Sequence, residues 1–132
     1  MGDVAVGKVL LVGAGGFIGA MLRYGISGLV QAATRSIGFP YGTLAVNVLG
    51  CLIIGILAQM VASRGVFSPE LRLFIFIGVL GSFTTFSTFG NETFSLLQDG
   101  ETVAALAYVG LHLVVGLGAV WLGHVMAWQL WR

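Results

Sequence analysis

The sequence predicts an all-α membrane protein with four transmembrane helices per subunit and a third helix broken in mid-membrane. Only 8% of its 132 residues are charged and 58% are hydrophobic, giving a mean hydropathy of +1.02. Soluble domains need roughly 25% charged residues to cover their surface. Four apolar segments each reach the roughly 20 residues that a helix needs to cross a bilayer, and short polar stretches separate them. Finally, residues 78–94, GVLGSFTTFSTFGNETF, crowd glycine and hydroxyl side chains into the middle of the third segment, where they weaken helix propensity.

The first span runs from about residue 4 to 30 and contains VLLVGAGGFIGAMLR. Lys8 ahead of an apolar stretch is also how a secretory signal begins, but this stretch continues past signal length into Arg23, which predicts a retained helix. An apolar run entering Gly13, Gly16 and Gly19 also resembles the opening of a dinucleotide site. That site needs an acidic residue about 20 positions later to hold the ribose. After Asp3 the next acidic residue is Glu70, so the nucleotide reading fails. Gly15 and Gly19 instead form a G-x-x-x-G pair whose missing side chains suit close helix packing. Arg23 ends this motif, either as an interfacial anchor or as a cation in an aqueous vestibule.

The second span, about 41 to 62, places Thr43 and Asn47 one turn apart on one face and holds Cys51 as a buried small hydrophobe. The third runs from about 71 to 97. The fourth, about 102 to 128, carries Tyr108, His112 and Gly116 on one line, and ends in Trp121, Trp128, Trp131 and Arg132, an interfacial anchor. The connections QAATRSIGFP, SRGVFSPE and QDGE hold the Gly, Pro and charged residues that stop helices. Their shortness makes successive helices antiparallel and puts both termini on one side.

The formal net charge of +1, with no cluster of Lys or Arg, argues against a nucleic-acid partner. One cysteine allows no intrachain disulfide. Lys8, Arg64, Arg72 and Arg132 fall on the side of the termini and Arg23 and Arg35 toward the other, a bias weak enough to permit insertion in both orientations. Four helices barely enclose a polar path, which favours an oligomer as the working unit. No ATP motif is present, and nothing in the chain calls for an enzyme.

An unpaired polar group in hydrocarbon costs several kcal/mol, so polar side chains in a span face a partner helix or a water-filled path. Thr84, Thr85, Ser87 and Thr88 alternate with Phe83, Phe86 and Phe89, whose spacing of three predicts a stripe along one face. By spacing alone such a stripe is core packing or lipid-facing surface. Interleaved with hydroxyl donors, however, positively polarised ring edges can replace the water shell of a small anion. Unwound backbone in the same segment would offer carbonyl oxygens to a hard cation.

GSFTTFSTFGNETF in the third span, GTLAVNVLG opening the second and GGFIGAMLRYG in the first resemble the small bacterial fluoride channel family, the Fluc-type or CrcB proteins. The resemblance covers nearly the whole chain. It implies a passive fluoride exporter of the bacterial inner membrane, built as an antiparallel dual-topology homodimer with two pores and a central structural sodium ion. By position, Phe86 and Phe89 would line the path, with Asn47 and Thr43 from the second span and Tyr108 and His112 from the fourth. Phe83 is left as packing. His112 also reads as an interhelical hydrogen bond, and Gly116 offers no side chain where the family continues its polar track. The backbone carbonyls of Gly81 and Thr84 would bind sodium. Arg23 and Glu92 fall at a vestibule, with helix pairing as the other reading of Glu92.

Two other readings fit parts of the same sequence. A small dual-topology, proton-coupled exporter of organic cations also has four spans, but needs an embedded carboxylate, for which Glu92 near the end of the third span is the only candidate. A non-transporting membrane subunit would use the same glycines and hydroxyls merely to hold helices together.

Overall fold

A computed structural model of the chain describes residues 2–131, with side chains from residue 5, and Arg132 of the expected anchor lies outside the described residues. Every regular element among the described residues is helical. Four helices are long and apolar enough to cross a membrane: Ala5–Thr34, Tyr41–Arg64, Pro69–Gln98 and Thr102–Leu130. They form α1 (Gly2–Thr34), α2 (Tyr41–Arg64), a composite third span and α6 (Thr102–Leu130). Each outlasts the apolar run that marks it, because helix ends are set by caps and not by where hydrophobicity stops.

The QAAT of the first connection is thus the last turn of α1, and only residues 35–40 connect. Arg35 leaves the helix with a left-handed φ of 53°. Gln31 then organises the turn: its Nε2 donates to Ser36 O at 2.7 Å and Phe39 O at 3.1 Å, and its Oε1 accepts from Gly42 N–H at 3.0 Å. One side chain thus ties the end of α1 to the start of α2. Gly65, at φ 59°, closes α2 by donating its N–H to Val61 O. This is the left-handed C-cap that glycine adopts without strain.

The third span begins at Ser68, whose Oγ accepts the Leu71 N–H at 3.2 Å, with Pro69 in the first turn of α3 (Pro69–Arg72). The helix widens into a π-helical stretch, Leu73–Leu80, tightens again in α4 (Gly81–Phe83), and breaks. Thr84 and Thr85 are extended, with ψ of 156° and 116°. A new helix, α5 (Phe86–Gln98), starts from Thr85, whose Oγ1 accepts Thr88 N–H. The expected mid-membrane break is therefore present, sharpened to two threonines and preceded by an unexpected π-helical stretch. Gly100 (φ 77°) and Glu101 turn the chain into α6, with Glu101 N–H bonded to Leu96 O.

The spans pack as two parallel pairs. α1 lies on the third span through the two glycines singled out in the sequence: a Cβ on Gly15 would sit 2.5 Å from Phe74 O, and one on Gly19 would collide with Val79 O and Ser82 Oγ. Ser82 adds a hydrogen bond to Gly16 O at 2.9 Å. A Cβ added at Gly13 or Gly16 would meet nothing within 4 Å. α2 lies on α6, where Gly55 and Gly123 let the backbones approach: a Cβ on Gly55 would strike Val120 O, and one on Gly123 would strike Leu52 O. Gly42 and Gly50 admit α2 against Ser27 of α1 and Thr84 of the break.

Candidate functional site

The break sits between the α2–α6 pair and α5, held there by Asn47. Thr85 N–H donates to Asn47 Oδ1 at 2.8 Å and Asn47 Nδ2 returns a hydrogen bond to Thr85 O at 3.2 Å. A backbone N–H can only donate, so this pairing fixes which amide atom is oxygen. The second Nδ2 hydrogen points to His112 Nε2, 3.1 Å away, while His112 Nδ1 is 3.0 Å from Tyr108 O. A carbonyl only accepts, so Nδ1 carries the ring hydrogen and Nε2 is the acceptor.

Diverting these donors has a consequence for the backbone. Thr85 N–H, the helical donor that Gly81 O would otherwise receive, is spent on Asn47; Thr88 N–H, which Thr84 O would receive, is spent on Thr85 Oγ1. The two carbonyls nominated as cation ligands are thus the ones whose i+4 donors are redirected. Gly81 itself is still helical, at φ −62° and ψ −31°, so only Thr84 is unwound as the sequence reading expected of both.

A cavity of about 360 Å³ opens here, bordered by Asn47, Thr85, Phe86, Phe89, His112 and Gly116 among others. Phe86 and Phe89 face each other at 5.6 Å between ring centroids, and Phe89 meets His112 at 4.4 Å. Phe83 does not join them. The break falls between Phe83 and Phe86, so the stripe expected from a spacing of three does not exist: Phe83 is 4% exposed in the core, whereas Phe86 is 83% exposed. The spacing rule holds only along an unbroken helix.

Thr43 and Tyr108 belong to a neighbouring cluster. Thr43 Oγ1 donates to Glu92 Oε1 at 2.9 Å, and Tyr108 Oη donates to Glu92 Oε2 at 2.5 Å. Glu92 thereby joins α2, α5 and α6, as the helix-pairing reading anticipates. It also borders a second, more polar cavity of about 290 Å³ with Thr43, Ser27, Gln31 and Phe39. Tyr108 is fully buried, edge-on to Phe39 at 5.4 Å and to His112 at 4.4 Å. A continuous aromatic series thus joins the first connection to the break.

Arg23, read from the sequence as an interfacial anchor or a vestibule cation, lies about three turns before the end of α1. Its Nε is buried without a hydrogen-bond partner.

Sequence reasoning missed two contributors. Gln31 looked like linker because it stands in a polar stretch. Cys51 looked like mere core, yet it borders the cavity at the break, and a Cβ on Gly116 would lie 3.7 Å from its Sγ. The signal was available: Thr43, Asn47 and Cys51 at i, i+4 match Tyr108, His112 and Gly116 rung for rung.

The fold and this site define a multi-pass membrane protein in which polar side chains and ring edges converge on an interrupted helix at membrane depth. Residues 10–124 match the family model described as CrcB-like protein, Camphor Resistance (CrcB), and the chain belongs to that family. It is 46% identical over 116 residues to the "Fluoride-specific ion channel FluC" of Methylobacillus flagellatus, covering 88% of this chain and 91% of that one. To the protein of the same name from Thermus thermophilus it is 46% identical over 117 residues, 89% and 92% of the two chains. It is 41% identical over 122 residues to "Fluoride-specific ion channel FluC 1" of Methanosarcina acetivorans, covering 92% of each.

Proposed function

We propose that this protein is a passive, fluoride-selective channel that lets fluoride leave the cytoplasm down its electrochemical gradient across the bacterial inner membrane. The observation that carries the reading is the cavity at the break, where the edges of Phe86 and Phe89 stand beside Asn47, Thr85 and His112. Fluoride is small and strongly hydrated, so its path must supply many donors within a narrow bore that excludes chloride. Ring edges, hydroxyls and amides supply them as partial positive charges along the path. Arg23 acts at the approach, raising the local anion concentration.

The working unit is an antiparallel homodimer with two pores. Its support is that Phe86 is largely exposed, so the cavity wall it forms is incomplete in one subunit and is closed by a second copy. The Gly81 and Thr84 carbonyls of both copies would hold a sodium ion, and hard oxygen donors released from helical bonding suit it. Such an ion supplies fixed positive charge close to the anion path. The proton-coupled exporter reading has less support, because Glu92 is engaged by two hydroxyls, and those donors suit a carboxylate that stays in place.

Purified protein in liposomes loaded with fluoride tests this with a fluoride electrode, using chloride and organic cations as controls. Fluoride efflux alone is expected, suppressed in Phe86→Ile and Asn47→Ala. Cation-coupled flux, or no flux, would overturn the proposal.

A further inference from the structure

His112 borders the cavity at the break, yet it has no hydrogen to offer an anion there. Its one ring hydrogen is on Nδ1, held by Tyr108 O at 3.0 Å, so the atom it turns to Asn47 is the bare lone pair of Nε2. A hydrogen on that nitrogen would stand against the hydrogens of Asn47 Nδ2, so the bond between them requires a neutral ring. Three contacts keep the ring in this pose: the Nδ1 bond, Phe89 at 4.4 Å, and Tyr108, edge-on at 4.4 Å between centroids.

Asn47 is the complementary case. Its Oδ1 and one Nδ2 hydrogen are committed to Thr85 N–H and Thr85 O, and that pair holds the break in place. Only the second Nδ2 hydrogen is left for another partner, and His112 Nε2 takes it at 3.1 Å. Asn47 and His112 line the same cavity as Phe86 and Phe89, so this is a donor at the cavity wall that already has an acceptor.

We infer that His112 sets how tightly the path holds fluoride: its Nε2 is a resident acceptor for the second Asn47 hydrogen, and fluoride gains that donor only by taking it from the ring. The inference rests on the fluoride-channel reading. An anion lodged against the edges of Phe86 and Phe89 exchanges one hydrogen bond for another at Asn47. Its net gain is the difference between the two and not the whole bond. Conduction needs that compromise, because an ion must bind well enough to enter and weakly enough to leave. Without the acceptor, the Asn47 hydrogen would stand unpaired in a cavity lined mainly by apolar side chains, and the anion would collect the full bond. His112 is thus a positioning residue that acts on the anion through Asn47.

The test is fluoride efflux from proteoliposomes at fixed pH across a range of internal fluoride, for the wild type, His112→Leu and His112→Gln. Leucine removes the acceptor, whereas the Oε1 of glutamine restores one at a similar reach. His112→Leu should reach half-maximal flux at about fivefold lower fluoride, with a lower maximum, the fold-change of one neutral hydrogen bond. His112→Gln should return the half-maximal concentration toward that of the wild type. A leucine variant that loses flux at an unchanged half-maximal concentration has lost packing alone and overturns the inference, as does a glutamine variant shifted as far as leucine. Both results leave the channel reading intact; absence of wild-type flux at every concentration overturns both. A second measurement decides should His112→Leu fail to fold. Nitrogen NMR spectra of histidine-labelled wild type, with His124→Gln to identify the signal of the other histidine, should show an unprotonated His112 Nε2 that shifts toward an unpartnered imine nitrogen as fluoride is added. A protonated Nε2, or one that ignores fluoride at concentrations that saturate flux, overturns the inference.

Discussion

At the scale of single residues, Asn47 and the three phenylalanines allow structural roles to be separated from the proposed conducting one. Asn47→Ala strips partners from Thr85 N–H, Thr85 O and His112 Nε2 at once. Each buried polar group left unpaired costs about 1–3 kcal/mol, so the variant should lose thermal stability in detergent as well as flux. Phe83→Ala should be destabilising by about 3–5 kcal/mol, as for a buried ring exchanged for a cavity. Phe86→Ala should leave subunit stability nearly unchanged, because its ring is exposed, while abolishing fluoride efflux. Thermal unfolding and electrode assays on the same preparations check both. These roles were only partly legible in the sequence. Phe83 was assigned to packing correctly, but the common stripe was an artefact of extending helical periodicity across a break. The bonds of Glu92 to Thr43 and Tyr108 join residues 49 and 16 positions apart, which no local pattern encodes.

The glycines decide packing at the scale of helices. Replacing glycine by alanine inside a helix normally stabilises it by about 1 kcal/mol. At Gly15 and Gly19 the sign should reverse, because the added methyl meets the backbone of the third span. At Gly13 the ordinary gain should survive, since nothing lies within 4 Å of the added carbon. Comparing melting temperatures of Gly15→Ala, Gly19→Ala and Gly13→Ala checks this. The G-x-x-x-G face was legible because it is a local spacing. The π-helical stretch that receives it was not, because LFIFIGVL is equally apolar all round in any helical register. Its geometry is set by the neighbours it must fit.

For the whole molecule, four spans and the side each connection occupies could be read directly, because the bilayer imposes length and polarity on the sequence. Orientation could not, since four positive charges against two give only a weak bias. Ile37 is fully exposed in the first connection and offers a reporter. In a Cys51→Ser background, Ile37→Cys should be labelled by a membrane-impermeant maleimide in about half of the molecules in intact cells, and in all after permeabilisation. Labelling of all or none before permeabilisation would exclude dual topology. The exposure of Phe86 beside the cavity was beyond reach of the sequence for a related reason: a surface that meets a second copy would have the same composition as one that faces lipid.

The parallel register of the second and fourth spans bears on how such a chain can change over generations. Thr43, Asn47, Cys51 and Gly55 each meet a fourth-span counterpart at the same offset in sequence, directly or through Glu92. Lengthening a connection leaves that register untouched. Inserting or deleting one residue between Asn47 and Gly55 would turn everything beyond it by about 100° and mismatch the remaining rungs together. Length variation among descendants of this chain should therefore be confined to the connections and the ends, with the two spans inherited as a unit of fixed length.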